Sequence, residues 1–428
     1  MATIVLGVQW GDEGKGKLCD ILGSGADICA RATGGRIAVI VTVVANGVSY
    51  DFQMLPSGLL NPSTRHLIGP WVVLHLPTFF EKLKKLQDQD IPDIEQRLFV
   101  TKRCALNLDL HEIADGVHED SLGGNSIGTT RRGIGPAYTS RAERTNLIVA
   151  DLFEDDVLEH KMKTLAKQFG QSHGVNKIDY DVENEISRLK ELRGKLGPFC
   201  IDDVEYLEAE QNQNKKLIIE GAQSAMLDLV YGTYPYVTST TTTFGGVMAG
   251  LNINRRKIDA VIGVVKAYTT RVGEGPFPTE FSDEAFADNF RHKSHEFSVS
   301  TGRARRCGWL DLVLAKYSHQ VNHYDYLNLT KLDILDDFET IQVAIGYKNP
   351  ETDEILTTYP ASAALLSRVE PVYLALKGWQ RPTTHVRSFQ MLPEEAQGYV
   401  RLIESFLGVP VKWIGTGPGR EDIIVKND

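Results

Sequence analysis

The sequence predicts an α/β fold with a large, mostly parallel central sheet flanked by helices, a P-loop-like nucleotide site and a peripheral helical excursion. Three observations carry this. An apolar run at residues 3–8 leads directly into a glycine-rich turn and then a periodic segment at 18–22, the strand–loop–helix order of a nucleotide site. Short apolar runs recur at 42–44, 67–74, 216–219, 260–265, 326–329, 341–345 and 411–414, with helical patterns between several of them. Residues 157–196 are the most clearly helical, with Leu158, Met162 and Leu165, then Ile186, Leu189, Leu192 and Leu196, at spacings of three or four. Gly197-Pro198 ends that stretch, and its Lys- and Glu-rich polar face reads as an excursion within a single domain spanning 1–428.

Composition narrows the class. With 428 residues and 42% hydrophobic content, the chain buries a sizeable core without disulfides. Its five cysteines, Cys19, Cys29, Cys104, Cys200 and Cys307, are scattered and lack CxxC pairing, which suggests neither a disulfide framework nor a zinc site. The opening MATIVLG has no basic n-region, and no apolar stretch is long enough for a membrane span, so a cytoplasmic enzyme is expected. A formal charge of −10 opposes non-specific binding to nucleic acid. Local basic clusters at 131–144 and 303–306 suit small anions instead.

Four motifs carry chemistry. Gly11-Asp12-Glu13-Gly14-Lys15-Gly16-Lys17 matches the G-x-x-x-x-G-K phosphate loop, in which backbone N–H groups and a helix N-terminus face phosphate. Leu18 stands where the ordinary loop has its magnesium-holding Ser or Thr, and Asp12 offers a carboxylate as replacement ligand or base. Thr330-Lys331-Leu332-Asp333 presents a carboxylate able to accept from both N1–H and the 2-amino group of guanine; taken alone, a helix-capping aspartate is an equal reading. Residues 263–280 and 300–309 combine hydroxyls, glycines and three arginines in seven residues, as a loop closing on carboxylate or phosphate requires, or as a solvated basic turn also shows. Residues 127–144 repeat hydroxyls and arginines among glycines, in a pattern an irregular surface loop also shares.

Together, QWGDEGKGK, IGTT, GIGPAY, EGAQ, GTYPYVTS, VVKAYTTRVGEGPFPTE, TGRARRCGWLD, NLTKLDILD and KWIGTGPGR resemble the adenylosuccinate synthetase family, its eukaryotic form most of all. The resemblance runs from residue 4 to 420 in the family's order. It implies a homodimeric ligase that joins IMP to L-aspartate, using GTP and one Mg²⁺ per subunit, through a 6-phosphoryl-IMP intermediate. It places catalysis on Asp12 and Lys15. IMP contacts are implied for Asp12, Glu13, Gly14, Lys15, Ile37, Ala38, Val39, Ile40, Thr130, Gln223, Thr238 and Arg303, and for Arg144 reaching across from the other subunit. GTP contacts are implied for the loop Gly11, Asp12, Glu13, Gly14, Lys15, Gly16 and Lys17, for Arg305, for Lys331, Leu332 and Asp333, and for Gly415, Thr416 and Gly417. Aspartate is implied to sit on Val299, Ser300, Thr301, Gly302, Arg303, Ala304 and Arg305, and the metal on Asp12 and the Val39 carbonyl.

The chain departs from the family after its first βα unit. Where GG-[HN]-N-A-G-H-T is expected, residues 34–42 read GGRIAVIVT, with Ile37 at the asparagine position and Ile40 at the general-acid histidine. No histidine precedes His66. An aliphatic side chain cannot donate a proton, and losing such a group costs about 10²–10⁴ in rate. Gln53 and Cys104 replace two further family histidines, Gly69-Pro70-Trp71 replaces a Gly-x-Gly turn, and 240–243 is a threonine run. These departures make a silent purine-nucleotide binder of the same fold the alternative function; a GTPase-type switch is a second, disfavoured by Leu18.

Overall fold

A computed structural model describes residues 1–35, 42–45, 47–123, 127–173, 180–297, 302 and 304–426, without the side chains of 42, 45, 172 and 173. The central sheet contains strands β1 (Ala2–Gly7), β2 (Ile28–Gly34), β3 (Arg65–Leu74), β4 (Leu98–Thr101), β5 (Ala105–Leu106), β6 (Cys200–Ile201), β7 (Leu217–Glu220), β8 (Ile258–Lys266), β9 (Tyr326–Thr330), β10 (Val411–Gly415) and β11 (Ile423–Val425). Their spatial order is β11-β10-β9-β8-β1-β7-β2-β3-β4-β6, with β5 alongside the end of β3. Every pairing is parallel except β10 with β11. The sheet is therefore mostly parallel and covered on both faces by helices, as the near-continuous burial of β1, β2 and β7 requires.

The apolar runs at 3–8, 67–74, 216–219, 260–265, 326–329 and 411–414 all lie in this sheet. Two others belong elsewhere. Thr42–Ala45 pairs with Val48–Asp51 in a separate two-stranded ribbon, and Thr340–Lys348 anchors a four-stranded sheet, antiparallel to Glu370–Lys377. The sequence did not announce β2, whose ICARATG is interrupted by Arg31 and Thr33. Both are nonetheless buried, and Arg31 donates to the Gln53 and Leu55 carbonyls, which compensates its charge inside the sheet. The helical stretch at 157–196 forms Asp155–His173 and Val182–Leu196, whose Leu158, Met162, Leu165, Ile186, Leu189 and Leu196 share a core with β3 and β4.

Two buried histidines give the fold a pH signature. Burial holds His66 and His111 neutral, with pKa pulled down to about 3; Arg97 adds to the effect at His66. Below pH 6.5 the unfolded chain takes up protons that the folded chain refuses. Each imidazole then removes about 1.4 kcal/mol of stability per pH unit down to about pH 3, and contributes no such loss above 6.5. Thermal midpoints are expected to fall between pH 7 and pH 5. The fall should be shallower in His111→Gln, whose amide carbonyl can still accept from the Leu108 N–H that the His111 Nδ1 now accepts. An identical slope in the variant would remove His111 from this account.

Candidate functional site

The site lies beyond the carboxyl ends of β1, β2 and β7, where parallel sheets place ligands. A cavity of about 390 Å³ opens there, walled by Trp10, Asp12, Lys15, Thr130, Gln223, Thr238 and Arg305 among others. β1 ends at Gly7, and the chain turns over residues 8–14 before helix α1 (Lys15–Gly23) begins. Three loop residues take the left-handed backbone, Gly11 at φ 99°, Asp12 at 60° and Gly14 at 91°. Glycine meets that demand at the two ends, and aspartate is among the few side chains that tolerate it in the middle.

Glu13 turns inward and braces the loop. Its carboxylate accepts from the Gln9 and Gly11 N–H groups at 3.1 and 2.8 Å, from Lys15 Nζ at 2.8 Å and from the Ser224 hydroxyl at 2.6 Å. Burial alone would raise its pKa, but Lys15, Ser224 and Gly11 together hold it below the usual carboxylate range. Glu13 is therefore a strut beneath the phosphate loop, and its side chain does not line the cavity. Asp12, by contrast, faces the cavity with Oδ2 2.6 Å from Arg305 Nε. Gln223, itself left-handed at φ 59°, buries an amide oxygen that has no partner among the described residues.

A second cluster adjoins the loop. Lys17 Nζ donates to the Gly417 and Asp422 carbonyls at 3.0 and 2.8 Å, tying the phosphate loop to the turn after β10. Burial lowers the Lys17 pKa to about 8, against the opposing pull of Asp422 and Asp333. Gly415 lies close to Thr330 and Lys331, where a Cβ would sit 3.4 Å from the Thr330 Cα. Thr416 is fully buried. Lys331 is left-handed at φ 59° and starts the short 3-10 turn Leu332–Leu335, in which Leu332 is buried core and Asp333 carries a buried Oδ1 with no partner among the described residues. Burial raises the Asp333 pKa. The helix-cap reading of this aspartate finds no support, since the turn shows no side-chain cap.

The structure thus gathers Gly11, Asp12, Gly14, Lys15, Gly16, Thr130, Gln223, Thr238 and Arg305 around one cavity, and sets Lys17, Lys331, Asp333, Gly415, Thr416 and Gly417 together beside the loop. Arg144 caps the helix Ile134–Glu143, exposed and outside the cavity wall of its own chain. Gly302 and Ala304 are exposed. Ile37, Ala38, Val39, Ile40, Val299, Ser300, Thr301 and Arg303 lie outside the described residues. Sequence reasoning missed two groups. Asp115 and Glu119 accept the backbone N–H groups of Gly133, Gly128 and Thr129, fixing the 128–133 loop. Buried Glu296 gathers Lys266, Arg305 and Lys331. The carboxylates Asp115, Glu119 and Glu296 fall outside every glycine- or arginine-rich motif, so no local signal marks them.

No cluster of three or more His, Cys, Asp or Glu able to hold a metal exists among the described residues, and none of their helices is long and apolar enough to cross a membrane.

A glycine-rich phosphate loop between a buried central strand and a helix, opening on a cavity at the carboxyl ends of a parallel sheet, defines an α/β protein with a nucleotide-type phosphate site. The chain belongs to the adenylosuccinate synthetase family, whose profile matches residues 4–424. It is therefore a ligase of purine biosynthesis. It is 52% identical to the adenylosuccinate synthetase of Sordaria macrospora over 100% of this chain and 98% of that one. The identity to the Pyricularia oryzae protein of the same name is also 52%, over all of both chains. Among solved structures, fully ligated adenylosuccinate synthetase from Plasmodium falciparum superposes with a TM-score of 0.94 at 37% identity, covering 99% of each chain. The cyanophage S-2L succinoaminodeoxyadenylate synthetase, at 19% identity and a TM-score of 0.61, shares the fold.

Proposed function

We propose that the chain joins IMP and L-aspartate to adenylosuccinate at the expense of GTP, with Asp12 as the base. The observation that supports this most directly is that Asp12, Lys15 and Gln223, whose amide oxygen has no partner among the described residues, open on one cavity. In this reading Gln223 orients the hypoxanthine while Asp12 removes the N1 proton. The 6-oxygen, now carrying the charge, attacks the γ-phosphorus of GTP, and the bond to the β-phosphate oxygen breaks to release GDP. Lys15 and the loop N–H groups stabilise the negative charge that develops on the phosphates. The amine of aspartate then adds at C6, loses its proton, and inorganic phosphate leaves with the C6–O bonding pair. Asp333 supplies the acceptor for guanine, and Arg305 a bidentate donor for carboxylate or phosphate.

Asp12 would hold Mg²⁺. A single protein carboxylate fits that ion, which commonly keeps several waters and takes its other oxygens from substrate phosphates. When bound, it would supply charge neutralisation to the nucleotide phosphates. The exposed position of Arg144 supports its reaching a neighbouring subunit in a homodimer, and the cytoplasm suits a chain with five free cysteines.

IMP- and aspartate-dependent formation of adenylosuccinate by the purified chain, with GTP binding measured in parallel, tests the reading. Turnover supports it, and Ile40→His is then expected to raise kcat by restoring a proton donor. Tight nucleotide binding without any adenylosuccinate would overturn it in favour of a silent binder. GTP hydrolysis independent of IMP would point to a switch. Family membership over the whole chain favours the ligase.

A further inference from the structure

Glu296 is fully buried and receives four donors. Its Oε1 accepts from Lys266 Nζ at 3.0 Å, Lys331 Nζ at 2.6 Å and the Tyr268 hydroxyl at 2.6 Å; its Oε2 accepts from Arg305 NH1 at 2.8 Å. A carboxylate has about four lone-pair sites, and four donors meet this one, three at Oε1 and one at Oε2. Its main chain joins in, since the Arg305 N–H donates to the Glu296 carbonyl at 2.9 Å. Burial alone would raise the Glu296 pKa, but the three cations outweigh it and hold the carboxylate ionised.

The three cations have different destinations. Lys266 ends β8, is fully buried, and also donates to the Thr270 hydroxyl at 2.6 Å; it is the fixed member. Lys331 precedes the turn that carries Asp333, whose Oδ1 is buried with no partner among the described residues. Arg305 lines the cavity with Nε 2.6 Å from Asp12 Oδ2. One buried anion therefore touches a side chain from each of two subsites, the guanine cluster and the reacting end of the phosphate loop. Without it, among the described residues Arg305 would keep one anion, Asp12, while Lys331 would keep the Ser294 carbonyl at 3.2 Å and the face of the Tyr268 ring.

We propose that Glu296 is a positioning residue, anchored by Lys266, that fixes Lys331 and Arg305 relative to each other and so aligns the guanine subsite with the carboxylate- and phosphate-binding end of the cavity. The proposal rests on the function proposed above. Glu296 touches neither the Gln223 nor the Thr130 side of the cavity, so it acts on GTP and aspartate and leaves IMP alone. Hydrogen bonds to charged groups are worth about a factor of ten or more in affinity. In Glu296→Gln the KM values for GTP and L-aspartate are therefore expected to rise at least about tenfold, and the KM for IMP to change by less than about threefold.

Stability is separated from positioning by the double variant Lys266→Met/Glu296→Gln. Removing a buried cation together with its anion commonly restores a fold that loss of one partner damages. The expected result is a recovered thermal midpoint with GTP and aspartate KM values still raised. Recovery of both KM values along with the fold would show that Glu296 only neutralises Lys266, and an equal rise in the IMP KM would show general damage; either overturns the proposal. Calorimetric titration of GDP into wild type and both variants provides a readout without turnover. A wild type that binds GDP but makes no adenylosuccinate would sink the ligase reading, while unchanged GDP affinity in the variants would sink the role of Glu296.

Discussion

Asp12→Asn is expected to lower kcat by about 10³–10⁴ while leaving the affinities for GDP and IMP within about threefold of wild type. The substitution removes the proton acceptor and also the carboxylate proposed to hold Mg²⁺, so the affinities are compared without the metal. Asparagine keeps the size of the side chain and an oxygen that can face Arg305 Nε, now 2.6 Å from the carboxylate. It also tolerates the left-handed backbone that position 12 requires, at φ 60°, as well as aspartate does. The loop itself is braced by Glu13, whose bonds to Gln9, Gly11, Lys15 and Ser224 do not involve the Asp12 side chain. The fold should thus survive and the base should not. Nucleotide affinity measured by calorimetry checks the first half, and single-turnover formation of adenylosuccinate the second. A loss of less than about tenfold would mean that another group takes the N1 proton. Asp12→Ala is less informative, because alanine also removes the oxygen beside Arg305 Nε and confounds charge with position.

How much of this was legible depended on whether a residue's role is local. The phosphate loop could be read because its demands are local: a buried strand before it, left-handed glycines in it and a helix after it, all within 23 residues. The Thr330–Asp333 motif was readable for the same reason, standing at the end of an apolar strand. The tie between Lys17 and Gly417 beside it was not, since that contact spans 400 residues of chain. The order of the sheet is equally non-local. β1 lies between β8 and β7, partners more than 200 residues away, and no periodicity in β1 records them. β2 escaped because Arg31 and Thr33 break its apolar run, and only the carbonyls of Gln53 and Leu55 explain why an arginine is tolerated there. Glu296 is the clearest case. It is an unremarkable residue in SHEF, and its importance comes from three cations brought to it by β8, by the residue after β9 and by the arginine-rich segment.

The departures at 34–42 and the intact geometry elsewhere bear on different steps. In the proposed reading Ile37 and Ile40 stand at the sequence positions of a side-chain amide and a proton donor, whereas the phosphate loop, Asp333 and Gln223 keep their polar groups. Binding and chemistry are therefore separable in this chain, and a test of nucleotide choice does not depend on rapid turnover.

That test is Asp333→Asn, for which preference is expected to move from GTP to XTP. A carboxylate accepts from both N1–H and the 2-amino group of guanine, whereas an amide presents one acceptor and one donor. The 2-oxo group of xanthine accepts where guanine donates, so the amide matches xanthine and clashes with guanine. Sites built on buried hydrogen bonds discriminate by about 10⁴–10⁵ when a partner is mismatched, and part of that remains in N1–H; a loss of about 10³ in kcat/KM for GTP is expected, with a gain of about 10² for XTP. Stability should hardly change, because Asp333 Oδ1 is buried with no partner to lose and the Asn side chain has the same volume. Burial already disfavours the Asp333 charge, so its neutral replacement relieves a cost in the protein alone. The two nucleotides compared by competition in one titration would read the switch directly, independent of rate. If Asp333→Asn weakened GTP and XTP equally, the carboxylate would be a structural acid of the Leu332–Leu335 turn, and guanine would have to be recognised by the Gly415–Gly417 backbone instead.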